Sequence, residues 1–253
     1  MFPFQTERID LPSKGLVYPK SNPLSKGYVD MRYMTAFHED ILTNLNYINR
    51  GIQYTLDKFS QALIVDKDIN INDLIEGDRF QILLASRILS YGHIVDYEYK
   101  GKPLRVDLTK LPNKKFDESL FSNTNDVPFE LPWSGINISI KLLTHGDLLE
   151  IEEEANRLKE LFPDDNFDKQ LKLKKIIQSV EKDYSKETIQ NFVDNKLVGV
   201  DIREIIMFHN EISPEVDIKA KDSEGGEEHT IPFRYLDLFY DIKRIPKVGK
   251  TRD

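Results

Sequence analysis

Apolar residues recur along this chain in two periods, and each change of period marks a change of element. After Thr35, a good helix N-cap, Phe37, Ile41, Leu45 and Ile48 fall three or four apart, which predicts a helix over 35–48 that Gly51 ends. A second helix is expected over about 52–63, with Tyr54, Phe59 and Leu63 inward. The clearest helix lies in NDLIEGDRFQILLASRILSYGH, where Phe80, Leu83, Leu84, Arg87 and Ile88 form one stripe. Asp78 suits the positive end of its dipole, Gly77 separates an opening turn, and Gly92 is a natural stop. The period then drops to two. HIVDYEYKGKPLRVDL sets Val95, Tyr97 and Tyr99 against Ile94, Asp96 and Glu98 and turns at Gly101, the pattern of a hairpin. FELPWSGINISIKLL turns at Ser134 and Gly135, then sets Ile136, Ile138, Ile140 and Leu142 against Asn137, Ser139 and Lys141. The polar stretch 112–126 between these hairpins reads as a surface loop.

Helical spacing returns at Thr144, which with Asp147 makes a capping box carrying Asp in place of the usual Glu or Gln. LLEIEEEANRLKELF, FDKQLKLKKIIQSVEK and ETIQNFVDNKL predict three helices, and 202–210 a fourth. EVDIKAKDSEGGEEHTIPF predicts a hairpin turning near Gly225 and Gly226, followed by the aromatic segment RYLDLFYDIKRIP. The first thirty residues follow neither period. Pro3, Pro12, Pro19 and Pro23, with Gly15 and Gly27 between, rule out a long helix and leave an extended arm of turns and short edge strands. The expected architecture is α+β: a mainly helical body with antiparallel β-hairpins in the middle and near the C-terminus, and an extended N-terminal arm. It divides into the arm at 1–30, an α+β core with two hairpins at 31–143, a helical region at 144–213, and a C-terminal hairpin with an aromatic tail at 214–253.

Composition narrows the functional classes. With 253 residues, 40% of them hydrophobic, the chain can bury a sizeable core. No apolar run approaches the ~20 residues of a membrane helix, and the start lacks the charged and apolar stretches of a secretory leader. The absence of cysteine excludes disulfides, thiolate metal sites and Cys nucleophiles. A net charge of -8 weighs against a dedicated nucleic-acid binder.

The candidate chemistry is sparse. His38, Glu39 and Asp40 stand together, but residues one apart on a helix diverge, so the trio reads as the charged start of a helix. None of His38, His93, His145, His209 and His229 lies in a ligand spacing such as HExxH. There is no phosphate-binding glycine loop and no GxSxG nucleophile motif. The acidic run Glu150 to Glu154 and the lysines Lys169, Lys172, Lys174 and Lys175 read as solvated helix faces, with contact to an acidic partner the alternative for the lysines. No catalytic, cofactor-binding or metal-ligating residue is assigned. An arm, hairpins and an aromatic end suit a protein that works by contacts.

Three blocks carry a resemblance. LPSKGLVYPKSNPLSKGYVDMRYMTAFHEDILTN, GDRFQILLASRILSYGH and ELPWSGINISIKLLTHGD resemble, in order, the signature strings of the T-even-type bacteriophage baseplate hub proteins, over roughly residues 11–147. Many of those proteins carry Cys pairs, suggesting small zinc knuckles, in the segments matching Asp96–Asp107 and Val216–His229. This chain has none, so no metal site is carried over. Position 38 is His where those proteins tend to have Glu. The resemblance implies a structural or assembly role without a catalytic step. Its partners would be other baseplate hub, tail-tube or tape-measure proteins in a symmetric oligomer, with no nucleic acid and no membrane. It would be found in the host cytoplasm during assembly and in the virion tail baseplate. On this reading the contact candidates are Leu16, Tyr18, Pro19, Leu24, Tyr28 and Met31, with Tyr235, Phe239 and Tyr240 of the aromatic end. Two alternatives stand beside it: a transient tail-assembly chaperone absent from the mature virion, and a metal-dependent hydrolase built from dispersed His and Asp or Glu.

Overall fold

The computed structural model describes residues 5–99, 102–221, 228–230 and 238–239. Its N-terminal strand β1 (Thr6–Asp10) runs antiparallel to β2 (Tyr28–Arg32), with Ile9 opposite Val29. The chain between them folds back on itself, and Leu11 N–H donates to the Gly27 carbonyl at 2.9 Å. Gly15 and Gly27 both have left-handed φ, at 77° and 78°. A Cβ on Gly15 would lie 2.6 Å from Gly27 N, and one on Gly27 would lie 2.7 Å from Lys14 O. Only glycine fits this back-to-back closure. The prolines and glycines leave no long helix, as expected, only a 3-10 turn at Pro23–Lys26, but the segment is no free arm. Its turns drive Leu11, Val17, Tyr18 and Leu24 into the core, because a compact loop can bury its own apolar side chains.

An isolated bridge from Met31 to Ile64, with Val65 N–H donating to Asp30 O at 3.0 Å, ties β2 to the helices that follow. The helix expected over 35–48 is two: α1 (Ala36–Leu42) and α2 (Leu45–Ile48). Asn44 divides them because its side chain accepts from Asn46 N–H at 2.9 Å and starts a new turn. The inward face shifts by one residue, so His38 and Leu42 are buried while Phe37 and Leu45 are 68% and 72% exposed. In α3 (Ile52–Leu63), Leu56, Phe59 and Leu63 are buried. In α4 (Glu76–Tyr91) nearly every side chain from Gly77 to Ser86 is buried. A helix covered all round is a central one, which a single stripe does not reveal. Gly77 lies inside α4, not in a separate opening turn.

The hairpins follow in the expected order. β3 (Ile94–Tyr99) pairs with β4 (Lys102–Asp107), Val95 opposite Val106. β5 (Val127–Glu130) pairs with β6 (Asn137–Ile140), Phe129 opposite Ile138. The segment 112–117 is not free, since Lys114 N–H donates to Glu215 O and Asp217 N–H to Pro112 O, both at 2.7 Å.

Next come α5 (His145–Leu161) and α6 (Asp168–Ile176). FDKQLKLKKIIQSVEK does not stay helical. From Ile177 it becomes β7 (Ile177–Val180), antiparallel to β6, with Ser139 and Ser179 hydroxyls 2.8 Å apart. The β-branched run around Ile176 and Ile177 favours this, and the buried face of a sheet rewards it more than another helical turn does. The boundary drawn at 143/144 therefore cuts through one three-stranded sheet, β5-β6-β7. Two helices follow, α7 (Lys186–Asn195) and α8 (Gly199–Ile212). The C-terminal hairpin is present as β8 (Lys219–Lys221) and β9 (Glu228–Thr230), its expected turn at Gly225 and Gly226 lying outside the described residues. The fold is α+β, and no helix among the described residues is long and apolar enough to cross a membrane.

Candidate functional site

Two buried polar clusters join the segments whose sequences carry the resemblance. In the first, Asp78, in the first turn of α4, accepts three hydrogen bonds from the N-terminal loop. Ser13 N–H donates at 2.9 Å, Ser13 Oγ–H at 2.5 Å and Tyr18 Oη–H at 2.6 Å. The Tyr18 oxygen in turn accepts from Ile75 N–H at 3.1 Å. Ser13 and Asp78 are wholly buried. Burial pushes the Asp78 carboxyl up to about 6, against the pull of the Ser13 and Tyr18 donors, and burial with the neighbouring carboxylate raises the Tyr18 phenol well above its ordinary value.

In the second cluster, Asp57 of α3 holds α4 and α5 together. Arg79 Nη2 reaches its Oδ1 at 2.8 Å, and His145 Nε2–H donates to its Oδ2 at 2.8 Å. Gln53 accepts from the same Arg79 nitrogen at 2.7 Å. Burial raises the Asp57 carboxyl, but the His145 hydrogen bond and the Arg79 guanidinium more than offset it and hold it below the usual carboxylate range. A histidine on a carboxylate has the shape of an acid–base pair. Here the His145 ring is 4% exposed and its carboxylate is shared with an arginine, an arrangement that ties three helices together. The pair is a structural clasp.

The start of α5 confirms the capping box. Thr144 Oγ1 accepts from Asp147 N–H at 3.2 Å, and Thr144 N–H donates to Asp147 Oδ2 at 3.0 Å. Lys141 donates to the other Asp147 oxygen at 2.8 Å. Two of the four lysines read as a solvated basic patch are paired within the protein: Lys174 with Asp194, and Lys175 with Glu150.

His38 is no acid–base group either. Its Nδ1 accepts from Thr35 N–H at 3.1 Å, which is the part a glutamate plays at the third position of a capping box. The ring is buried, which lowers its pKa, and it bonds the Ala62 backbone. His38→Ala is expected to cost about 1 kcal/mol, the usual loss for a removed cap. His38→Gln should cost less, because a neutral amide can accept from Thr35 N–H and still offers a donor toward Ala62. Urea-unfolding midpoints of the two variants measure the difference.

The contact candidates divide. Tyr18, Leu24 and Met31 are 4%, 0% and 0% exposed and cannot touch a partner, because the N-terminal loop turns them inward. Leu16 packs half-buried against the same core, Tyr28 lies 3.8 Å beneath the Arg8 guanidinium, and Pro19 is exposed. Phe239 packs edge-on against Phe59, centroids 5.3 Å apart. Tyr235 and Tyr240 lie outside the described residues.

The apolar side chains that do face outward were not among the candidates. Trp133, at the tip of the β5–β6 hairpin, is 73% exposed. Its backbone N–H donates at 3.1 Å to Asp201, a buried carboxylate in the first turn of α8, and Val198 and Val200 lie exposed on either side of that turn's start. Leu161 and Phe162 are exposed at the end of α5, and Phe37 and Leu45 on α1 and α2. An aromatic next to a Ser-Gly turn was the signal available for Trp133. Phe37 and Leu45 were hidden by the helix break at Asn44.

Among the described residues, no three His, Asp or Glu side chains are grouped to hold a metal ion. An open polar cleft between the 70–73 turn and α5 is lined by Asn72, Asp73, Thr144, Asp147, Glu150 and Glu153. A smaller cavity beside Gly77 contains His209, whose pKa burial draws down to about 4. Compared with protein-family models, curated proteins and solved structures, the chain matches none.

Proposed function

We propose that this chain is a structural or assembly subunit of a contractile phage tail baseplate hub, acting through protein–protein contacts that template hub and tail-tube or tape-measure assembly. The observation that carries the reading is the convergence of the three resembling blocks. Ser13 and Tyr18 of the first meet Asp78 of the second, and Arg79 of the second shares Asp57 with His145 of the third. Ser13, Tyr18, Asp78, Arg79 and His145 of these blocks therefore interlock, as scaffold residues do. Exposed Trp133, Leu161 and Phe162 supply the apolar anchors that interfaces favour. Symmetric copies around a tail axis are the expected arrangement.

An epitope-tagged chain should co-purify with tail proteins from the cells that make it. Trp133→Ala should weaken that capture while leaving the thermal unfolding midpoint within about 2 °C, since the indole is solvent-facing and surface substitutions stay within about 0.5 kcal/mol. Deleting residues before Asp30 is not a usable test of contacts, because it removes Leu11, Val17, Tyr18 and Leu24 from the core.

A further inference from the structure

The carboxylate that joins the N-terminal loop to α4 has no cationic partner among the described residues. Three donors converge on Asp78, all from Ser13 and Tyr18, and the three residues are buried. The charged and titratable groups around it are otherwise engaged. Lys14, next to Ser13, reaches out to Glu118 at 2.6 Å, and Arg79, next to Asp78, turns to Asp57. Glu76 on the same helix is exposed, and Asp73, before α4, accepts from Asn22 at 3.1 Å. The 121–125 segment contributes the neutral Asn123, whose amide donates to Tyr18 O at 3.2 Å. Tyr18 is the titratable group in direct contact. Two carboxylates that join elements elsewhere, Asp57 and Asp147, each carry a cation, Arg79 and Lys141 respectively.

We propose that Ser13, Tyr18 and Asp78 form a proton-sensitive latch, in which docking of the N-terminal loop on α4 takes up a proton, so that the loop is held more tightly in mild acid than at neutral pH. The two hydroxyls make this chemically feasible. Each can donate to the ionised carboxylate or accept from the protonated one, and Ser13 Oγ already accepts from Gly15 N–H at 3.1 Å. The direction follows from the burial. The folded carboxyl lies near 6 and the unfolded one at its ordinary 3.8. The stability this group contributes is therefore full below the unfolded value and is lost as pH rises through the folded one. Cations on Asp57 and Asp147 give those carboxylates the opposite sign. The inference concerns the chain itself and does not rest on which assembly it joins.

Carboxyl-carbon NMR on the intact wild-type chain tests it without any variant. The Asp78 carbon is expected to titrate with a midpoint between pH 5 and 7. Amide opening over residues 11–18, corrected for intrinsic exchange, should be about tenfold rarer at pH 5 than at pH 7.5. In Asp78→Asn that pH dependence should flatten. If this variant does not fold, Ser13→Ala, which removes two of the hydroxyl's contacts but no titratable group, should still move the Asp78 midpoint upward. A carboxyl carbon that stays constant from pH 5 to 8, or loop opening that grows toward acid, overturns the latch.

Discussion

Gly77→Ala is expected to be the most damaging single-methyl change in the molecule, lowering stability by on the order of 4 kcal/mol or preventing folding. A Cβ there would lie 1.8 Å from the Pro214 carbonyl oxygen and 2.9 Å from its carbon. Both obstacles are backbone, and the backbone cannot retreat. Residues 214–217 are fixed by the bridge between Asn113 and Val216 and by the Lys114 and Asp217 hydrogen bonds to either side. On its other side α4 is buried against the core. Gly199→Ala is the matching control, because nothing stands within 4 Å of its Cβ position. It lies at the start of α8 with no positive φ, so alanine should be neutral or should stabilise by up to about 1 kcal/mol. Thermal unfolding followed by circular dichroism separates the two. At about 2–4 °C per kcal/mol for a chain of this size, Gly77→Ala should fall by roughly 10 °C or more while Gly199→Ala holds or rises.

Asp57→Ala is expected to cost about 3–5 kcal/mol, the range for removing one partner of a buried ion pair. The change takes the carboxylate from the Arg79 guanidinium, 6% exposed, and strips His145 of the carboxylate its ring donates to. Three helices lose their common point at once. The effect should depend on pH in the sense opposite to Asp78. The folded Asp57 carboxyl lies below its ordinary 3.8, so its contribution is present above that value and is lost as pH falls through the folded one. Urea unfolding of wild type and Asp57→Ala at pH 7 and pH 3 checks both parts: the gap between the two curves should narrow in acid.

The elements that sequence reading recovered are those governed by local period. The alternation in 94–107 and 127–140 set both hairpins, and Thr144 with Asp147 set the start of α5. What escaped depends on partners distant in sequence. Asp78 reads locally as a carboxylate at a helix dipole, and nothing within a helical turn of it announces Ser13, 65 residues earlier. His145 matches no ligand spacing because its partner, Asp57, lies 88 residues away on another helix. The β7 segment follows a helical window without a breaker, so its β-branched residues alone do not announce the strand, which the open edge of β6 completes. The N-terminal segment was read by its prolines as extended, yet those same turns let it close over the core. For the candidate site, reading the N-terminal segment as partner-facing placed Tyr18, Leu24 and Met31 outward, whereas the fold assigns outward positions to Trp133, Leu161 and Phe162.

We propose that the chain acts as a scaffold among tail proteins. The most direct measurement is quantitative mass spectrometry of purified particles and of assembly intermediates from the cells that produce it. The hub reading expects the chain in both, at a fixed ratio to the tail proteins it co-purifies with. Presence in intermediates alone would assign it the role of a chaperone that departs before maturation. Absence from both would contradict the account.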